Sequence, residues 1–214
     1  MTERRIAVIS AGLSNPSSTR MLADRLAGAT LSALAEVDIH GIADAFELRD
    51  YAHDVTNNML TGFAAPALES MINTVVSADG VIVVTPIFST SYSGLFKSFI
   101  DVLDPDALRG MPVLIGANAG TARHSLAIDC AIRPLFTYLH AEPMATGVFA
   151  ASGDWGAAAD TVTPLADRVT RGAGELAVAI ARRDGSASSD PYDPANYLGA
   201  ANSFTHLLGG FSGQ

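Results

Sequence analysis

Residues 81–101 read VIVVTPIFSTSYSGLFKSFID. The unbroken apolar run from Val81 predicts a strand buried on both faces, the pattern of parallel rather than half-exposed sheets. Pro86 lacks the N–H that a ladder requires, so the strand, Gly80 to Thr85, is expected to stop there and leave loop backbone at its carboxyl end. A hydroxyl-rich loop, Phe88 to Ser93, follows. Gly94 then starts a helix whose inner face is Phe96, Phe99, Ile100 and Leu103. Open α/β sheets bind ligands outside the carboxyl ends of their strands, which makes this loop the first place to look for a site.

Outward from that stretch, the chain alternates strand and helix. Toward the N-terminus, Arg5–Ser10 is a short strand, and Leu22, Leu26, Ala29 and Ala33 mark a helix over Ser18–Leu34. Val37–Ile42 is a weaker strand, residues 43–64 read as a short helix plus an excursion, and Pro66 opens a helix striped by Leu68, Met71, Ile72, Val75 and Val76. Toward the C-terminus, Met111–Ala117 is a strand beginning near Pro112. Ile128, Ile132, Leu135, Phe136 and Leu139 trace a helix that Pro134 must kink. Met144–Ala150 is a fifth strand, and Leu165, Val169, Leu176 and Ile180 stripe the last helix. Five β–α pairs imply an α/β, doubly wound parallel sheet with helices on both faces, because parallel neighbours need crossovers that cover those faces.

Composition narrows the function classes. The chain has 214 residues, 49% of them hydrophobic, enough for one core spanning residues 1–183. Residues 184–214 are rich in Gly, Ser, Asp and Pro yet carry Tyr197, Leu198, Phe204, Leu207, Leu208 and Phe211; they are expected to form an arm that packs on a partner subunit. A net charge of −9 with no Lys/Arg cluster argues against nucleic-acid binding. No run approaches 18 apolar residues, and MTERR leads straight into a strand, so no membrane span is expected and a cytoplasmic protein is the simplest reading. The single cysteine, Cys130, falls in an apolar helical pattern and reads as a buried structural thiol. The five histidines show no paired ligand spacing, so no metal site is expected.

Three loops lie at strand carboxyl ends. The first, Ser10–Thr19 (SAGLSNPSST), combines Gly12 with hydroxyls of Ser14, Ser17, Ser18 and Thr19 before a helix N-terminus, where unpaired N–H groups bind anions without Lys or Arg. An ordinary Ser-rich cap is the plain alternative. It has neither the G-x-G-x-x-G of dinucleotide folds nor a P-loop. The second loop, Pro86-Ile87-Phe88-Ser89-Thr90-Ser91, offers backbone amides and an apolar wall of the kind a flat ring system needs, with plain core packing the alternative for Phe88. Lys97 and Asp101, four apart, read as a surface pair. The third loop, Gly116–Ser125 (GANAGTARHS), has two glycines for unusual backbone angles, and its His124 is either a ligand donor or a surface cap.

These residues resemble the NADPH-dependent FMN reductases of the flavodoxin-like class, whose second loop runs T-P-x-Y-x-x-S-x-x-G-x-x-K-x-x-x-D. Thr85, Pro86, Ser91, Gly94, Lys97 and Asp101 match without a gap, with Phe88 in place of the Tyr. In the first loop Leu13 stands where that family has Ser, and its Arg is missing, while Ser17-Ser18-Thr19 fits the phosphate cradle. The opening SAGLSNPSSTR looks closest to the branch partnered with luciferase-like flavin monooxygenases. The resemblance covers roughly residues 4–183 and implies a five-stranded sheet in the order 2-1-3-4-5, with FMN at the switch point between strands one and three.

It further implies hydride transfer from NADPH or NADH to FMN, supply of reduced FMN to a monooxygenase, and a homodimer or tetramer. The implied FMN-binding residues are Ser10, Gly12, Leu13, Ser17, Ser18, Thr19, Thr85, Pro86, Ile87, Phe88, Ser89, Ala117, Asn118, Ala119, Gly120 and His124. No catalytic acid or base is expected, because hydride transfer between stacked rings rests on orientation. A quinone, azo or metal-ion reductase holding its FMN, a flavodoxin-like electron carrier and a non-catalytic scaffold remain alternatives.

Overall fold

A computed structural model describes residues 2–155 and 163–183; the expectation for the arm at 184–214 lies outside them. The sheet is built from β1 (Thr2–Ser10), β2 (Ile39–Glu47), β3 (Gly80–Phe88), β5 (Pro112–Ala119), β6 (Glu142–Pro143) and β7 (Val148–Ala151), with a short β4 (Ser91–Tyr92) folded back on β3. The hydrogen-bonded order is β2-β1-β3-β5-β6, and β7 also pairs with β5. All pairings are parallel except β3 with β4. The expected order 2-1-3-4-5 therefore holds by position, with the fifth place shared by β6 and β7.

Alternation along the strands sorts side chains into two cores. Ile6, Val8, Ile82, Val84 and Leu114 pack under α1 (Ser18–Ala35) and α6 (Leu165–Arg182). Ala7, Ile9, Val81, Val83 and Ile115 pack on the other face with Leu48, Val55 of α2 (Ala52–Thr61), Leu68 and Met71 of α3 (Pro66–Val76), Phe96 and Phe99 of α4 (Gly94–Asp101), and Phe136 of α5 (Arg133–Tyr138). Two buried faces explain why the strands read as continuous apolar runs. Among the described residues no helix is long and apolar enough to cross a membrane.

Several boundaries differ from the sequence reading, β1 among them, which begins at Thr2 rather than Arg5. β3 does not stop at Thr85 but runs on through Pro86 to Phe88. The Ala11 N–H donates to the Val84 carbonyl, so Val84 aims its main-chain groups at β1, and Pro86, two residues on, aims the same way. The β1–β3 pairing has already ended at Ser10 opposite Val84. Pro86 thus has no partner to disappoint, and Thr85 and Pro86 still pair with Ala117 and Asn118 of β5. β5 extends to Ala119 because Asn118 and Ala119 still pair with Ala150 and Ala151 of β7, which makes four of the ten residues of the expected third loop strand.

β2 spans Ile39–Glu47 rather than Val37–Ile42 because it is an edge strand, where Asp44 and Glu47 need no apolar neighbour on the open side. The fifth strand is interrupted between Pro143 and Val148. Pro134 does mark a break: Arg133 donates to the carbonyl of Ile128, five residues back, in a π-turn over Ile128–Ile132 that accommodates the imide before α5 begins. Cys130 is exposed, not buried. It stands two residues from both Ile128 and Ile132, on the opposite side of the helix from the buried face they define.

Lys97 and Asp101 form the surface pair expected of them, with Nζ 2.5 and 2.7 Å from the two carboxylate oxygens. Both side chains are well hydrated, at 38% and 42% exposure. Lys97→Ala is therefore expected to change stability by only about 0.5 kcal/mol in a denaturant titration. A loss several times larger would mean the pair does more than decorate the helix.

Candidate functional site

The first loop is tied down at both ends. Ser17 is the N-cap of α1, its Oγ accepting the Arg20 N–H at 3.2 Å. Thr19 Oγ1 donates to Asn118 Oδ1 and Asn118 Nδ2 donates to Ser18 Oγ, both at 2.9 Å, so one amide from the end of β5 grips two consecutive residues of the α1 N-terminus. From outside, Arg49 donates to the Ser14 carbonyl at 3.1 Å. Gly12 has no room for a side chain: a Cβ there would lie 2.1 Å from Ser17 Oγ.

Ser10, at the end of β1, is 1% exposed, and its Oγ has no hydrogen-bond partner. Strand alternation turns it toward the α1 face. A buried orphan hydroxyl beside a tight, Gly-permitted loop and the free amides of a helix N-terminus is the donor set of a phosphate cradle. This geometry fits the phosphate of FMN and goes beyond a plain Ser-rich cap.

The second loop is a hairpin. Ile87 pairs with Tyr92 and Phe88 with Ser91, leaving Ser89 and Thr90 as a two-residue turn. Both sit at positive φ, 48° and 72°, as such a turn demands of residues that are usually Gly or Asn. Each costs about 1 kcal/mol, and such strain tends to collect at ligand sites. Phe88 at the hairpin's edge is 47% exposed and so is wall rather than core. Thr85 supports the turn from below: its Oγ1 donates to the Pro86 carbonyl and accepts the Ser93 N–H, each at 3.1 Å.

Together these loops enclose a cavity of about 370 Å³ lined by Ser18, Pro86, Ile87, Phe88, Asn118, Ala119, Gly120, Ser152 and Trp155. Seven of these were expected from sequence, drawn from all three loops. Ser10, Gly12, Ser17 and Thr19 sit behind the lining in the cradle, and Thr85 is buried beneath the hairpin. Leu13 (54% exposed) projects to solvent, Ser89 is exposed in the turn, Ala117 is fully buried in β5, and His124 is half-buried in the helical turn Ala122–His124; none of these four lines the cavity.

Sequence reading missed Ser152 and Trp155. They lie in a short 3-10 turn, Ser152–Trp155, directly after β7. The expected fifth strand, Met144–Ala150, ends within one residue of β7, so the rule that picks out loops at strand carboxyl ends applies here as well and would have found them. Asp154 fixes this turn, accepting the Ala151 N–H at 2.7 Å and pairing with Arg168 of α6 at 2.6 Å, its side chain only 5% exposed. No cluster of three or more His, Cys, Asp or Glu suited to a metal occurs among the described residues.

Known proteins resemble this chain over most of its length. The family model for NADPH-dependent FMN reductases matches residues 4–156. A Pseudomonas putida protein named NADH-dependent FMN reductase SfnE is 34% identical over 179 residues, covering 84% of this chain and 93% of its own. A Pseudomonas aeruginosa protein named FMN reductase (NADPH) is 33% identical over 151 residues, 71% of this chain and 78% of that one. Among solved structures, an oxidoreductase from Corynebacterium diphtheriae superposes with a TM-score of 0.81 at 43% identity, covering 86% of this chain and all of that one. The apo form of an NADH:FMN oxidoreductase (EMOB) superposes at 0.71 with 26% identity, covering 92% of this chain and all of that one.

Proposed function

Because the chain belongs to the NADPH-dependent FMN reductases, its family model covering residues 4–156, we propose that the cavity at the strand ends is where this NAD(P)H:FMN oxidoreductase holds its flavin. The observation that carries the reading is the meeting of a cluster of hydroxyls and free helix amides with a partly open cavity of mixed polar and apolar lining through Asn118, which bonds to that cluster and lines the cavity. Bound FMN would supply the hydride-accepting ring. The chain's own residues do the rest.

Ser10, Gly12 and Ser17–Thr19 would hold the phosphate through hydroxyls and the α1 amides, where the helix dipole favours negative charge. Pro86, Ile87 and Phe88 would bear on the ring, excluding water from the face they cover. Main-chain N–H groups near Phe88, Ser89, Ala119 and Gly120 lie where strands end, so they can serve as donors to the ring's polar edge and stabilise the negative charge that reduction places there. Such placement needs no acid–base pair. Orientation alone can account for a large part of a hydride-transfer rate.

Reduced FMN is proposed to leave for a flavin-dependent monooxygenase in the cytoplasm, as the branch resemblance implies, from a homodimer or tetramer. Half-exposed Phe88 supports exchange of the flavin over permanent burial.

The test is anaerobic NAD(P)H oxidation by the purified chain with and without free FMN. Turnover that saturates in FMN, with reduced flavin recovered in the filtrate of a size-cutoff membrane, is expected. FMN that stays oxidised under NAD(P)H defeats the reductase reading, and reduced flavin that stays with the protein while quinones turn over favours the bound-flavin alternative.

A further inference from the structure

We infer that Trp155, which no part of the second-loop motif includes, is a ring-recognition wall of the cavity and helps to set its preference for planar ligands. The inference rests on the cavity being the flavin site. β3 and β7 pair with opposite sides of β5, so Phe88 at the end of β3 and Trp155 just beyond β7 flank the floor formed by Asn118, Ala119 and Gly120. Two aromatic side chains thus border the cavity from loops that lie 67 positions apart in sequence.

The indole is unusually well anchored for a loop residue. The Arg25 guanidinium carbon of α1 stands 4.7 Å from its ring centroid, a cation–π contact that fixes one face. The buried Asp154 beside it is locked to Arg168 and to the Ala151 N–H, so the backbone that carries Trp155 cannot drift. A rigid aromatic with few rotamers loses little entropy when it receives a flat ligand. The competing role is packing alone, since Trp155 also leans on the core under α1 and α6.

The full-length chain carrying Trp155→Leu and, separately, Trp155→Phe separates these roles. Affinities for FMN and for riboflavin are read by quenching of flavin fluorescence, with inorganic phosphate as a competitor for the cradle and the thermal midpoint as a control on folding. Ring recognition predicts that Trp155→Leu weakens FMN and riboflavin alike by about tenfold, Trp155→Phe by about threefold or less, and that competition by phosphate is unchanged in both. Arg25→Gln should reproduce part of the Leu effect, about threefold, by releasing the indole.

Unchanged flavin affinity in Trp155→Leu overturns this inference alone. So does a loss in which thermal midpoint, flavin affinity and phosphate competition fall together, because that is the signature of packing. A wild-type chain that binds neither flavin overturns the FMN reading with it.

Discussion

Asn118→Asp is expected to lower the affinity for FMN by about a hundredfold while changing riboflavin affinity by only about threefold. The substitution is nearly isosteric, so the fold tolerates it, but it changes two things at once. The Asn118 amide now donates to Ser18 and accepts from Thr19, holding the α1 N-terminus against β5. A carboxylate can accept from both hydroxyls but donate to neither, and it adds a negative charge to the proposed phosphate cradle. At an effective dielectric of about 20, a unit charge placed several ångströms from a phosphate monoester, which carries more than one negative charge at neutral pH, would cost about 3 kcal/mol or more, about two decades in affinity. Riboflavin carries no phosphate and escapes the repulsion. Fluorescence titration with the two flavins reads the difference directly, and equal losses for both would mean that Asn118 acts on the ring rather than on the cradle. High salt should narrow the gap, since the neighbouring Ser18 is exposed and charges this close to solvent are partly screened.

The same residue shows what was legible in the sequence. The three loops could be placed because each follows a run of apolar residues too continuous for a one-faced strand, and Asn118 entered only as one of the residues that the family resemblance implies. That it reaches back 99 residues to Thr19 could not be seen, because hydrogen bonds between loops depend on strand order and register rather than local pattern. Pro86 misled for a related reason. Its missing N–H matters only if a partner waits on that side, and whether β1 reaches so far is a property of the sheet.

Trp155 follows a strand's carboxyl end just as the three loops do, but no motif marks it. The interruption between β6 and β7 blurs the fifth strand's period, and the 3-10 turn that presents the indole has no repeat to detect. Cys130 failed differently: an apolar neighbourhood was taken for an inward side chain, although its offset from Ile128 and Ile132 already turned it outward. Offset along the helix decides such cases better than composition.

A site made this way distributes its chemistry. Among the described residues the cavity is lined by backbone, hydroxyl, amide and aromatic groups, with no carboxylate, Lys, Arg or His facing it. Single substitutions on its apolar side should therefore shift binding by about tenfold rather than abolish turnover, if the proposed hydride transfer rests on orientation of stacked rings. The cradle is the exception, since its geometry leaves so little slack.

Gly12→Ala is the sharpest test of that slack. The added Cβ would meet Ser17 Oγ at 2.1 Å and Thr19 at 3.0 and 3.1 Å. Ser17 could rotate away, but its Oγ is the N-cap of α1, and losing a cap costs about 1 kcal/mol. Thr19 is less free, being 2% exposed and bonded to Asn118. Overpacking there adds about 1 kcal/mol or more. Together about 2 kcal/mol is expected, a fall of about 4–8 °C in thermal midpoint for a chain of this size, with FMN affinity reduced at least tenfold because the cradle itself is displaced.

The double substitution Gly12→Ala/Ser17→Gly separates crowding from any intrinsic need for glycine. Glycine is a tolerable N-cap, so Ser17→Gly alone should cost only a few tenths of a kcal/mol, and it removes the atom that the new methyl strikes first. The double variant should thus be more stable than Gly12→Ala by about 1 kcal/mol, with the contact to Thr19 preventing full recovery. Strict additivity of the two effects would show that Ser17 is not what Gly12 makes room for, and the cradle would then have to be assigned to other atoms of the loop.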